Sequence, residues 1–306
     1  MTRPIRSVPR KERKDRKGGT VVADASPTIR QRELGLRLRK LRTELGLTVE
    51  EVGNKLLCSA TKISRAETGA RRPSLRDVRD LCALYGVAPA AAEELMDLAR
   101  AARQSGWWAQ YDDLKVHFPF IGMEQEATAI TCFGMYFVPA FLQTAEYARA
   151  IIKGIVPRIG SDVLEQRVEI RMRRQDLLQR PKPPLRYRAL LDEAVLHRSI
   201  GGPAVMKAQL EKILKLVGEE RVTVQVVPFD VGAYAAADSN FDYLEFDVPG
   251  LPDLVYIEGL ARDSYLDRPA ELERYREALN YLRDAALSPR DSRRKIEEIS
   301  VGYAAD

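Results

Sequence analysis

SATKISRAETGARRPSL, residues 59–75, is the stretch that decides the fold of the N-terminal part. Ser59 opens a short run of small, polar and basic residues, which leads through Gly69 into Arg71, Arg72 and Pro73. Upstream, Thr48 is an N-cap candidate, followed by Glu50 and Glu51, where the positive end of a helix favours anions. The spacing predicts a helix from there to about Leu57 and a second one capped by Ser59. Gly53 stands where two helices crossing steeply need a small side chain. Ile63, ten positions later, must plug the core, with Cys58 and Ala66 on the same inward side. Ala60, Thr61, Ser64 and Arg65 then point outward together.

Working outward, Leu34, Leu38, Leu41 and Leu45 recur at three and four, the stripe of an amphipathic helix ending at Gly46. Ser74 caps a fourth helix through Leu75, Val78, Leu81, Cys82 and Tyr85 to Gly86, and a fifth runs from about Pro89 to Ala102. Five short helices with brief connections make one all-α domain over residues 29–105. The paired helices around residue 57 have a helix-turn-helix layout, in which the second helix enters the DNA major groove. An ordinary solvated helix with a basic loop is the competing reading of residues 59–75.

Charge divides the chain. Residues 1–76 hold 20 Lys/Arg against 8 Asp/Glu, and the remainder 29 against 36. One end matches a polyphosphate and the other does not, although RNA or anionic lipid would satisfy charge alone. The chain of 306 residues suggests about two domains, and its 45% apolar and 30% charged shares are those of a soluble globular protein. No run approaches the ~18 apolar residues of a membrane span. The basic start lacks an apolar sequel, so no secretory signal is expected. Cys58, Cys82 and Cys132 form no C-x-x-C pattern, which suits a reducing cytoplasm, where a DNA-binding protein would be nucleoid-associated. Residues 1–28, with RKERKDRKGG, read as a disordered basic arm that grips DNA or merely solubilises.

LRKLRTELGLT (38–48), Gly53, Ile63 and SRAETGARRPSL (64–75) resemble the Xre/Cro-type helix-turn-helix domain of phage-repressor-like regulators, over about residues 33–88. The resemblance implies base contacts from Ala60, Thr61 and Arg65, and phosphate contacts from Lys62, Ser64, Arg71 and Arg72. It also implies a buried ion pair between Arg42 and Glu67, which makes Glu67 structural. Two positions depart from the pattern. Leu57 occupies the turn position usually held by Gly, so the turn must avoid positive φ or tolerate strain. Val49 stands where relatives often carry a phosphate-contacting Gln.

From residue 106 the pattern is mixed α and β. Strands are expected at 128–137, 185–192, 222–229, 240–246 and 253–259. Helices are expected at about 143–154, 162–179, 203–217, 269–286 and 289–299, giving an α+β domain over 106–300 and a tail at 301–306. YFVPAFLQTAEYARAII (136–152), MRRQDLL (172–178), YRALLDEAVLHRSIGG (187–202) and VTVQVVPF (222–229) resemble a C-terminal domain of unknown function. That domain is common in Xre-type regulators of filamentous soil bacteria. The resemblance implies a regulatory, dimerising or partner-binding role, the partner being a second copy or a small protein from a neighbouring gene.

Tyr136, Arg171, Arg174, Asp192, Glu193 and His197 form the candidate ligand or partner site. Glu193 and His197 would share a helix face at i, i+4, which suits acid–base work; a satisfied structural histidine is the plainer alternative. His117 is the only other histidine, so no metal-ligand spacing exists, and no cofactor motif is present. Arg167, Arg171, Arg173 and Arg174 would bind an anion or, more simply, form a solvated face paired with Glu165, Glu169 and Asp176. Trp107, Trp108 and Tyr111 would pack the domain junction or line a pocket. The expected function is sequence-specific regulation of transcription as a homodimer on an inverted-repeat DNA operator, without catalysis. A protein-interaction module of a two-protein, antitoxin-like switch and an enzyme using Glu193 and His197 are the alternatives.

Overall fold

Short-range signals set the N-terminal helices. The computed structural model describes residues 29–303 apart from 70, 104–105, 115–117, 183, 220, 249 and 261–262. The basic arm expected over 1–28 and His117 lie outside the described residues. Five helices come first along the chain: α1 (Ile29–Glu44), α2 (Val49–Lys55), α3 (Ala60–Glu67), α4 (Leu75–Leu84) and α5 (Pro89–Ala101). Thr48 and Ser74 each close a capping box, with Glu51 and Asp77, and Ser59 caps α3 by accepting from the Lys62 amide. These caps satisfy amides that a helix cannot pair internally. Leu34, Leu38, Val52, Ile63, Val78, Leu81 and Leu95 meet in the domain's core. Leu45 stays about half exposed, so the stripe of α1 ends one turn earlier than expected.

Two close approaches fix the crossings. A Cβ at Gly53 would stand 2.8 Å from the Cys58 carbonyl oxygen, and one at Gly35 2.5 Å from that of Glu67. Leu57 takes φ 52°, so the turn between α2 and α3 tolerates the left-handed strain, with the side chain in solvent.

The remainder is one layered α+β unit. In chain order it contains α6 (Phe118–Glu126), β1 (Ala129–Gly134), α7 (Ala145–Ile155), α8 (Ser161–Arg174), β2 (Arg186–Asp192), α9 (Ala194–His197) and α10 (Pro203–Leu216). Then follow β3 (Val222–Val227), β4 (Phe241–Glu245), β5 (Leu254–Ile257), β6 (Ser264–Leu266), α11 (Pro269–Ala285) and α12 (Pro289–Gly302). The sheet order is β3-β2-β1-β4-β5-β6. β1, β2 and β3 are parallel, and β4, β5 and β6 join antiparallel. β1 is buried along its whole length, as a central strand between helical layers must be. One face packs Ile130, Leu191, Val224 and Leu254 against Phe141, Tyr147, Leu210 and Ile296. The other packs Phe133, Tyr243 and Val255 against Leu272, Leu279 and Leu282 of α11.

Several boundaries differ from the sequence reading. The strand expected to 137 stops at Gly134, and the helix expected over 162–179 ends at Arg174, with a 3-10 turn over Gln175–Gln179. α6 and β6 were not expected. α12 continues through Gly302, into the expected tail. Trp107, Trp108 and Tyr111 pack on Ile121 and Ile170, within the larger unit.

α1 belongs to both cores. Leu34 and Leu38 face the helical domain, whereas Ile29 and Leu36 pack into the larger core beside Phe120 and Met123. Arg32, buried on α1, pairs with Asp267, and Arg30 reaches Glu126 on α6 at 3.5 Å.

Two substitutions test this packing by thermal denaturation. Gly35→Ala drives a methyl group into backbone and is expected to destabilise by roughly 2 kcal/mol. Leu57→Gly removes the left-handed penalty and is expected to raise stability, by up to about 1 kcal/mol after the entropy of the added glycine is counted.

Candidate nucleic-acid interface

The interface is built on α3. Its inward side, Ile63, Ala66 and Glu67, is buried, while Thr61 and Arg65 are exposed and Ala60 and Ser64 half-buried on the opposite side. The helix is anchored at its carboxyl end. Arg42 of α1 donates from Nε to Glu67 Oε1 at 2.7 Å and from Nη2 to Oε2 at 2.9 Å. A third bond runs from Arg42 Nη1 to the Leu47 carbonyl at 2.5 Å. The bonds to Glu67 raise the Arg42 guanidinium above its usual range, which keeps Arg42 a cation. A fork-on-fork pair fixes angle as well as distance. It thereby orients α3 against α1, and it takes the Glu67 charge away from the exposed Thr61–Arg65 side.

The expected phosphate contacts sit in varied surroundings. Arg71 is exposed, and its amide donates to the Arg65 carbonyl at 2.9 Å, which holds the loop against the end of α3. Arg72 is half-buried, with Nε toward Gln31 Oε1 at 3.4 Å; Gln31 itself donates to the Gly69 carbonyl. The Lys62 ammonium turns to Asp77 at 2.5 Å, linking α3 to the cap of α4. Burial would raise the Asp77 carboxyl, but Lys62 and the Ser74 amide and hydroxyl outweigh it and hold it below the usual range.

The other candidate residues do not form one site. Tyr136 is exposed just beyond β1. Arg174 points inward from α8 and pairs with buried Glu124 through two bonds of 2.8 and 2.6 Å. Arg171, half-buried, donates to Gln143 at 3.2 Å. The arginine face of α8 is therefore not the solvated, self-paired surface expected, because half of it covers the sheet and Glu165 pairs with Arg149 instead. Asp192 accepts from the Ala194 amide at 2.8 Å and from the Tyr234 hydroxyl, apart from Glu193. Glu193 accepts from Lys295 at 2.8 Å, the Phe229 amide at 2.9 Å and His197 at 3.3 Å. Burial pushes Glu193 up, but Lys295, the amide and His197 bring it below the usual carboxylate range. It floors a cleft of about 470 Å³ shared with Phe229, Asp230, Arg294 and Lys295. Lys295 and Glu124 were missed by sequence reasoning: each stands far along the chain from its partner, with no motif to mark it.

Residues 33–95 match the helix-turn-helix domain family. Residues 119–298 match the domain of unknown function DUF5753. The chain belongs to the DUF5753 family. No curated protein and no solved structure matches it. The DUF5753 match covers the sheet and nearly all its helices, so the family is defined by the larger unit. The helix-turn-helix match contains α2, α3 and the Arg42–Glu67 pair, and it makes DNA the partner that this part of the protein supports. Among the described residues no helix is long and apolar enough to cross a membrane, and no three His, Cys, Asp or Glu side chains gather as a metal site.

Removing one member of a buried ion pair leaves the other charge unpaired, at a cost of about 3 kcal/mol. Arg42→Ala or Glu67→Ala is expected to destabilise the protein by that order in denaturant titration. Lys62→Ala, which breaks a half-exposed pair, is expected to cost under about 1 kcal/mol.

Proposed function

We propose that the protein is a sequence-specific, DNA-binding transcription regulator of the Xre type, in which α3 lies in the major groove. The observation that carries this is the division of α3 into a buried, ion-paired side and an exposed side bearing Thr61 and Arg65. Arg65 is the base reader: a guanidinium matches guanine O6 and N7 with two parallel bonds. The Thr61 methyl and Ala60 suit a thymine methyl. Arg71, with Arg72 and Ser64, contacts phosphates, which set register and carry no sequence information. Lys62 contributes less than the resemblance implies, since Asp77 competes for its charge.

One headpiece covers about half of a typical site, so the reading takes the protein as a homodimer on an inverted repeat. The DUF5753 unit then dimerises and senses a ligand or a small protein partner. Its link to the headpiece is α1, whose first turn sits in the larger core. A ligand acts through such a link only by favouring one of two arrangements. The reading gives the chain no catalytic step.

Selection of bound duplexes from a random pool tests it. Wild-type protein is expected to yield an inverted repeat, and Arg65→Ala to lose preference at one base pair in each half-site, a change of ~1–3 kcal/mol there. Arg71→Ala is expected to weaken all sequences alike and to lower the salt slope by about one. An unchanged motif with Arg65→Ala would remove α3 from the groove.

A further inference from the structure

The cleft of about 470 Å³ floored by Glu193 opens at the carboxyl ends of the parallel strands β2 and β3. Ligand-sized sites run from ~300 to ~1,000 Å³, so it has room for an occupant. Glu193 directly follows β2, and Phe229 and Asp230, two residues beyond β3, form one wall. Leu287 and the exposed side of α12 form the other.

The charges in this cleft do not balance. Glu193, Asp230, Asp291 and Glu298 face two cations, Arg294 and Lys295, which leaves two negative charges in excess. Lys295 is drawn to the floor, 2.8 Å from Glu193, whose other oxygen accepts from the Phe229 amide at 2.9 Å. Arg294 stands between Asp291 at 3.2 Å and Glu298 at 3.8 Å and serves both. Asp230 is exposed and has no ion pair among the described residues. Beside these carboxylates the Phe229 side chain is 58% exposed, its ring stacked on His197 with centroids 5.6 Å apart. An open aromatic ring next to surplus carboxylates suits a Lys or Arg side chain. The head meets a carboxylate, and the methylene stem or guanidinium plane lies on the ring. An anion would meet repulsion from the same groups.

The chain carries such side chains itself. Residues 1–28 hold 8 Lys/Arg against 3 Asp/Glu, and six of those cations fall in RKERKDRK, residues 10–17. Eleven residues separate Lys17 from Ile29. At ~3.3 Å each they reach up to ~36 Å. A six-stranded sheet is only ~24 Å wide at ~4.8 Å per strand. Ile29 shares a core with Ile296 of α12, so the tether starts on the side of the sheet that α12 covers. A tether of this length holds the segment near its target at a roughly millimolar effective concentration, so weak contacts suffice.

We propose that this cleft is the docking site of the chain's own basic segment, residues 10–17, with Lys and Arg heads on Asp230, Asp291 and Glu298 and a stem on Phe229. Cations held there are withheld from phosphates, so docking lowers the sequence-independent part of DNA affinity. That consequence rests on the DNA-binding reading of the headpiece; the docking does not.

Carbodiimide coupling on the full chain without DNA tests the docking, because it joins a lysine amine only to a carboxylate in contact with it. In a mixture of light and isotope-labelled protein, peptide mapping by mass spectrometry is expected to find Lys11, Lys14 or Lys17 joined to Asp230, Asp291 or Glu298 within one chain. The yield is expected to fall about fivefold or more at ~1 M salt, where the screening length is ~3 Å. Coupling spread over carboxylates elsewhere, coupling only between chains, or none would each overturn the proposal. Duplex binding gives a second readout. Asp230→Asn with Glu298→Gln, both exposed, is expected to bind a random-sequence duplex about threefold or more tightly at ~50 mM salt, with a steeper salt slope. Glu277→Gln with Asp284→Asn removes the same charge from α11, across the sheet, and is expected to have a smaller effect. Equal effects of the two pairs would overturn the withholding of the segment from DNA. A chain that selects a DNA motif but gives no coupling at the cleft sinks the docking alone. A chain that couples there but selects no motif supports the docking and sinks the DNA reading.

Discussion

The crossing of α1 and α3 is the constraint on which the DNA-binding half depends. At Gly35 the two backbones approach so closely that no side chain fits between them. One helical turn or two further on, Arg42 grips both oxygens of Glu67. The first contact sets the distance between the helices and the second sets the rotation of α3 about its axis. Burial alone would place Ile63 inward but would fix that rotation, and with it the direction of Arg65, less tightly. A bidentate ion pair is directional where apolar packing is not, and that is its use here. Its stabilising effect over a well-packed apolar pair is small, so orientation, more than stability, explains it.

The same helix ties the headpiece to the sheet. α1 begins in the larger core at Ile29, is pinned by Arg32 to Asp267, and only then enters the helical core at Leu34. A freely jointed headpiece would be indifferent to events in the DUF5753 unit. Here the first helix is shared, with Ile29 packed in one core with Phe120 and Met123 of α6. A polar cluster lies beneath α6 and α8. It replaces apolar contacts there with Glu124, Arg174, Arg171 and Asp242, groups that are costly to bury.

Local chemistry was legible in the sequence and convergence was not. The caps at Thr48, Ser59 and Ser74 act within one turn, so their residue types mark the helix starts. The five longer strands are β-branched or aromatic runs, readable for the same reason; β6, three residues at the sheet edge, has too little pattern to read. α6 carries Glu124, Gln125 and Glu126 together at its end, and so lacks the periodicity that marks a surface helix. Leu57 shows the limit of a steric rule: the turn takes positive φ without glycine because its side chain projects into solvent and the penalty is small beside the packing that demands it. The arginines of α8 looked like a solvated face because their partners, Glu124 and Gln143, lie well before them in the chain. Asp242 and Cys132 meet only through strand register, which no single segment encodes. The candidate DNA contacts on α3 needed only one helix and the residues beneath it.

The measurement that bears most directly on this account is the structure of the protein bound to the duplex it selects. The account requires α3 in the major groove, Arg65 within hydrogen-bond distance of a base edge, and the Arg42–Glu67 pair intact beneath it. A complex in which another element fills the groove, or in which the Thr61–Arg65 side of α3 faces protein, would contradict it.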